Sequence, residues 1–203
     1  MTDLAALLNE LTVVCLQIVG LAWLLAAGYF AVRRHGSWRV RVWQFARTLL
    51  PEPWLLVGVP VVAVLLRSVP RGVWPHLTFW NPVFATVGFA VVVASAVLML
   101  CARWVLGVMW AGRPLVQQEH ELCTAGPYRI VRHPIYTGIV GLALGATLVV
   151  GFGPMLVVLP LTVAFTAWRV HTEDRMMSAT FGSHYAAYRR QVPALLPVPR
   201  PHA

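Results

Sequence analysis

The stretch from Pro134 to Trp168 carries no charged residue, and a single break, Gly151-Phe152-Gly153-Pro154, divides it. About 20 apolar residues cross the hydrocarbon of a bilayer, so one helix over the whole stretch would be far too long. Two helices joined by a tight Gly/Pro turn satisfy the length, and so short a link makes them antiparallel neighbours. A soluble domain offers no place for such a hairpin unless its surface is polar elsewhere. Here 59% of the 203 residues are hydrophobic and only 11% are charged, against roughly 25% charged in soluble domains. The chain reads as an all-α, polytopic membrane helix bundle.

Three further apolar runs precede the hairpin: Leu11 to Val32, Trp54 to Leu66 and Pro82 to Ala102. The second is short and follows Pro51-Glu52-Pro53, so it is either extended by its flanks or partly re-entrant. Asn81-Pro82 opens the third, with proline at the helix position that tolerates it. The expectation is about five transmembrane helices. Residues 1–102 form an anchoring and packing region, and residues 103–203 hold the hairpin 134–168 and a C-terminal cytoplasmic helix.

The net charge is +9, and every basic residue among the 16 is an arginine. Arg33, Arg34, Arg39, Arg41, Arg47, Arg103, Arg113, Arg129, Arg132, Arg169, Arg175, Arg189, Arg190 and Arg200 fall on one side of the deduced membrane, Arg67 and Arg71 on the other. By the positive-inside rule the N-terminus is outside and the C-terminus cytoplasmic. These arginines border apolar spans instead of forming a soluble basic face, which speaks against nucleic acid as a partner. Met1 to Glu10 contains Asp3 and Glu10 and no basic residue, unlike a cleaved signal peptide. Cys15, Cys101 and Cys123 are too scattered for a zinc site or a disulfide framework, so no metal is expected.

Polar clusters bracket the hairpin, and the short turn brings them together at one membrane surface. His133 stands at the N-cap before Pro134, where free amides and the helix dipole favour an anion. Arg129 and Arg132 add charge there, although for these arginines alone anchoring at the interface is the expectation. Gly138, Gly141 and Gly145 lie close to one helix face. They admit a neighbouring helix or a flat ligand, and packing is the expectation. At the far bracket Arg169 lies four residues before Glu173, with Asp174 adjacent. This is either a surface ion pair or a wall supplying one cation and one carboxylate to a site. Tyr185 and Tyr188 read as interfacial belt residues. The Leu195-Leu196-Pro197 tail is expected to dock on the membrane or the bundle.

His120-Glu121-Leu122, Gly126-Pro127-Tyr128-Arg129-Ile130-Val131-Arg132-His133-Pro134-Ile135-Tyr136-Thr137-Gly138, Arg169-x-x-x-Glu173-Asp174 and Phe181-Gly182-x-x-Tyr185-x-x-Tyr188 occur in that order. Together they resemble the isoprenylcysteine carboxyl methyltransferase family of integral membrane enzymes, over roughly residues 103 to 199. The resemblance implies S-adenosyl-L-methionine as cofactor, bound by His120, Glu121, Leu122, Cys123, Tyr128, His133, Pro134, Ile135, Tyr136 and Glu173. It implies that Arg169 faces the methyl acceptor. Asp174 stands where glutamate is usual. Ala187 and Gln191 stand where the eukaryotic prenylcysteine enzymes carry charged residues, which leaves the acceptor open.

The expected function is methylation of a carboxylate, hydroxyl or thiol on a lipophilic acceptor drawn from the bilayer, a small lipid-like molecule or an isoprenylcysteine-like compound. The expected setting is a bacterial cell membrane, with the cofactor pocket facing the cytoplasm and no obligate protein partner. Two alternatives stand beside it. Membrane sterol reductases share a similar C-terminal element and use NADPH, though with more spans, and a non-enzymatic subunit would use the brackets only as anchors.

Overall fold

The computed structural model describes residues 2–33, 66–68, 70, 72–107 and 122–198. His120, Glu121, Arg113, Arg200, the arginines from 34 to 47 and the 54–66 run, apart from Leu66, lie outside these residues.

Four long helices account for most of the described chain: α1 (Thr2–Arg33), α2 (Pro82–Leu106), α3 (Pro134–Val150) and α4 (Met155–Gln191). Three of them, Asp3–Phe30 within α1, α2 and α4, are long and apolar enough to cross a membrane, and α3 is a shorter apolar helix. Their outward faces are oily. Leu21, Leu25, Val32, Val83 and Trp104 are all exposed, which suits lipid and not water. Among the described residues no β-strand is formed beyond one isolated bridge, Thr78 to Phe152.

The helix starts follow local chemistry. Asn81 caps α2, its side-chain oxygen accepting from the amides of Val83 at 2.9 Å and Phe84 at 3.3 Å, with Pro82 behind it. Pro134 likewise opens α3, but the N-cap His133 gives no side-chain cap. Gly151, left-handed at φ 84°, ends α3, and α4 begins three residues beyond Phe152. The loop before α2 clamps this turn: Phe79 N–H donates to the Gly151 carbonyl at 2.8 Å, and Gly153 N–H to the Leu77 carbonyl at 3.2 Å.

The helix α4 does not stop at Trp168, where the apolar run ends. It continues to Gln191 with a kink at Gly182, so the expected C-terminal helix and the second arm of the hairpin are one element.

The tightest helix pair is α2 against α3. A Cβ added at Gly145 would lie 2.6 Å from the Gly88 carbonyl oxygen and 2.9 Å from the Val92 nitrogen. One at Gly138 or Gly141 would strike Met99 or Ser95. The three glycines of α3 therefore serve backbone approach to α2, as small residues do between membrane helices.

The helix α1 joins the pair at both of its ends. Leu8 packs with Ala85 and Val149 at one end. At the other, Tyr29 stacks on Trp104, and the Arg103 guanidinium lies 4.8 Å from the Phe30 ring centre. The C-terminal ends of α1 and α2 thus share one end of the bundle.

Candidate active site

Because α3 and α4 are antiparallel, the start of α3 meets α4 well past its midpoint. The two clusters, 33 to 42 positions apart in sequence, fuse into one network. Asp174 lies at its centre. Its Oδ2 takes Arg132 Nη2 at 2.8 Å, its Oδ1 lies 2.9 Å from His133 Nε2, and the Tyr185 hydroxyl donates to Oδ1. Arg189 approaches from the exposed side at 3.9 Å. Arg132, His133, Asp174 and Tyr185 are all buried.

Glu173 forms the second half. The Tyr136 hydroxyl donates to its Oε1, Arg169 Nη2 lies 3.2 Å from the same oxygen, and Arg169 Nε donates to the Tyr136 hydroxyl at 3.1 Å. His133 Nδ1 stands 3.6 Å from Glu173 Oε2, so the imidazole bridges the two carboxylates. Burial alone would pull the imidazole pKa down. Its contacts with Asp174 and Glu173 together outweigh burial and hold it above the ordinary value. Both ring nitrogens of His133 therefore face carboxylates, which favours its protonated form.

The C-terminal segment is stitched over this network. Arg132 N–H donates to the Pro193 carbonyl at 2.8 Å and His133 N–H to the Ala194 carbonyl at 3.0 Å. Arg132 Nη1 reaches the carbonyls of Arg189 and Val192, and the Thr137 hydroxyl donates to the Leu195 carbonyl at 2.7 Å. The Tyr188 hydroxyl donates to the Tyr128 carbonyl at 2.6 Å. Tyr128 is itself buried, and desolvation raises its phenol pKa.

The sequence-derived candidates divide as follows. The structure brings His133, Tyr136, Arg169 and Glu173 into direct contact. Pro134 is buried at the head of α3, with Ile135 half-buried beside it. Tyr128 and the half-buried Cys123 are within electrostatic reach of one another, and Leu122 is half-buried too. Among the described residues no group of three or more His, Cys, Asp or Glu side chains could hold a metal ion.

Two readings need correction. Tyr185 and Tyr188 are not belt residues facing lipid headgroups: Tyr185 is 2% exposed and spends its hydroxyl on Asp174. Arg132 is not a surface anchor, because its guanidinium is buried against Asp174 and two backbone carbonyls. One signal was available for the tyrosine. Eleven residues are just over three turns of a regular helix, which places Asp174 and Tyr185 on one face.

Residues 83–184, half of the chain, match the phospholipid methyltransferase family profile. The chain belongs to that family. That family and the O- and S-methyltransferases among its relatives speak for a membrane methyltransferase and against the sterol-reductase reading.

The chain is 30% identical over 197 residues to the probable protein-S-isoprenylcysteine O-methyltransferase of Oryza sativa subsp. indica, covering 87% of the chain and 95% of the rice protein. It is 35% identical over 82 residues to the protein-S-isoprenylcysteine O-methyltransferase of Schizosaccharomyces pombe, covering 40% of the chain and 35% of the yeast enzyme. It is 36% identical over 96 residues to the methanethiol S-methyltransferase of Mycobacterium tuberculosis, covering 46% of the chain and 36% of that enzyme. With these last two the match spans only about a third of the relative's length. The fold is shared with the eukaryotic intramembrane Ras methyltransferase ICMT at a TM-score of 0.58 and 18% identity, over 78% of this chain and 63% of that one.

Proposed function

We propose that this membrane methyltransferase uses S-adenosyl-L-methionine to methylate a lipophilic acceptor drawn from the bilayer. Its site faces the cytoplasm, the N-terminus lies outside, and residues 103–203 form the catalytic region of a five-span bundle anchored by residues 1–102. The observation that carries the reading is the network that puts one arginine and one carboxylate, Arg169 and Glu173, beside the uncapped start of α3.

The residues suit the cofactor. Only the His133 amide at the head of α3 is taken, by the Ala194 carbonyl. The amides of Ile135 and Tyr136 have no acceptor within the helix, as in any first turn, so a carboxylate fits there. Glu173, with a fifth of its side chain exposed (20%), suits an ammonium group. His120, Glu121, Leu122, Cys123 and Tyr128 complete the binding segment by family resemblance.

The bound cofactor supplies an electrophilic methyl group on a sulfonium. The protein's task is alignment and exclusion of water. Arg169 holds an anionic acceptor, which attacks with its own lone pair and needs no general base. Tyr136 fixes Arg169 and Glu173 relative to each other through a hydroxyl that accepts from one and donates to the other. The stitched C-terminal segment closes the cytoplasmic side over the head of α3.

Incubating the purified protein with methyl-labelled S-adenosyl-L-methionine and a native lipid extract tests this. Label should enter a lipid-soluble product, and Glu173→Gln should suppress it. Stabilisation of the protein by NADPH with none by S-adenosylhomocysteine would overturn it.

A further inference from the structure

Threonines inside helices ordinarily return the hydroxyl to the carbonyl four residues back. Thr162, Thr172 and Thr180 of α4 do so, at 2.8, 3.0 and 3.0 Å. Thr166, on the same helix, does not. It is fully buried at 0% exposure, and its Oγ1 has no hydrogen-bond partner. A wholly buried hydroxyl without a partner is unfavourable, so its retention calls for an explanation.

Its position supplies one. Thr166 precedes Arg169 by three residues and Glu173 by seven, spacings that share one helix face. It sits about 4.5 Å along the axis from Arg169, at 1.5 Å per residue, on the side of the hairpin turn and hence of the bilayer interior. Thr166 has no exposed surface, so an acceptor whose reacting atom is held at Arg169 reaches its hydroxyl only if the side chains covering it move aside on binding.

Resting on the function proposed above, we infer that Thr166 is a specificity-determining residue whose hydroxyl hydrogen-bonds the methyl acceptor. The acceptor is then an amphiphile with a second hydrogen-bonding atom about one helical turn from the atom that is methylated. A plain alkyl chain attached directly to the reacting group leaves Thr166 unpaired, and a site with a buried polar group discriminates against such a ligand.

The test compares two probes of similar length: N-dodecanoylglycine, with an amide beside its carboxylate, and tetradecanoic acid, with none. Each is titrated into the detergent-solubilised full chain in the presence of S-adenosylhomocysteine, and binding is followed by thermal shift. The wild type should bind the amide-bearing probe about fivefold to tenfold more tightly, the worth of one hydrogen bond. Thr166→Val should abolish that preference and Thr166→Ser should keep it.

Equal binding of the two probes, a preference unchanged in Thr166→Val, or no binding of either probe would overturn the inference. The S-adenosylhomocysteine shift alone reports on the cofactor reading. If it is present while the preference is absent, only the role of Thr166 fails. If it is absent too, the methyl-transfer reading fails with it.

Discussion

His133 Nε2 and Asp174 Oδ1 lie 2.9 Å apart, although 41 positions separate them in the chain. The pair is buried, and Asp174 also carries Arg132 and the Tyr185 hydroxyl. One carboxylate therefore ties the head of α3, the body of α4 and the part of α4 beyond the Gly182 kink.

Removing that carboxylate strands the buried Arg132 guanidinium and leaves the His133 imidazole without its partner. Asp174→Ala should cost about 3–5 kcal/mol, the range for breaking a buried ion pair from one side. Tyr185→Phe should cost less, about 1–3 kcal/mol for one buried hydrogen bond. The double variant should cost less than the sum, since both changes remove the same bond. Chemical denaturation in detergent measures all three.

The His133 imidazole has its pKa raised in the folded protein by Asp174 and Glu173. Below the unfolded value, about 6.5, both states hold the proton and the stabilisation is complete. As the pH rises, the unfolded chain releases its proton first, and the contribution is lost by the time the folded pKa is passed. Wild-type melting temperature should therefore fall from pH 6.5 upward, and His133→Gln should flatten that slope. A wild-type profile as flat as the variant's would count against the charged bridge.

At the α2–α3 contact, Gly145→Ala puts a methyl group 2.6 Å from a backbone oxygen that cannot swing away. A loss of about 1–3 kcal/mol is expected. Gly20 of α1 has nothing within 4 Å of its added Cβ, so Gly20→Ala should be neutral or slightly stabilising. Parallel melts of the two variants separate packing from helix propensity.

Gly182 kinks α4 at φ 51° and ψ −120°, with open space around it. Gly182→Ala meets no neighbour, yet it should cost about 1–3 kcal/mol because a side chain strains that backbone conformation. An unchanged melting temperature would show that α4 can straighten without loss.

Glu173 and Arg169 share one contact but should separate kinetically. Glu173→Gln should weaken S-adenosylhomocysteine binding by about 10- to 100-fold, the worth of a hydrogen bond to a charged group. Arg169→Lys should leave that binding within a few-fold and raise KM for the acceptor instead. Equal effects of both changes on both ligands would contradict the assigned division.

The sequence by itself determined the helices and their broad grouping. Charge-free runs, Pro134 and Pro82 at helix starts and the break at Gly151 are local signals, and a membrane leaves the backbone few options but helix. The motif residues Tyr136, His133, Arg169 and Glu173 were legible through the family they resemble, and the antiparallel hairpin explained why they could meet. The glycines of α3 were legible as a packing face, although their partner, α2, was not.

Only the tertiary structure decided which charges are buried. Arg132 and Arg129 look alike beside an apolar span, yet one is buried and the other exposed. The difference is that Asp174 and the carbonyls of Arg189 and Val192 converge on Arg132 from distant parts of the chain. Tyr185 was missed for the same reason. An aromatic residue near a membrane surface suits the interface, and its spacing from Asp174 does not by itself reveal that the carboxylate is buried. Hydrophobic runs are written along the chain, whereas the partner of a buried polar group is fixed only when separate helices come together.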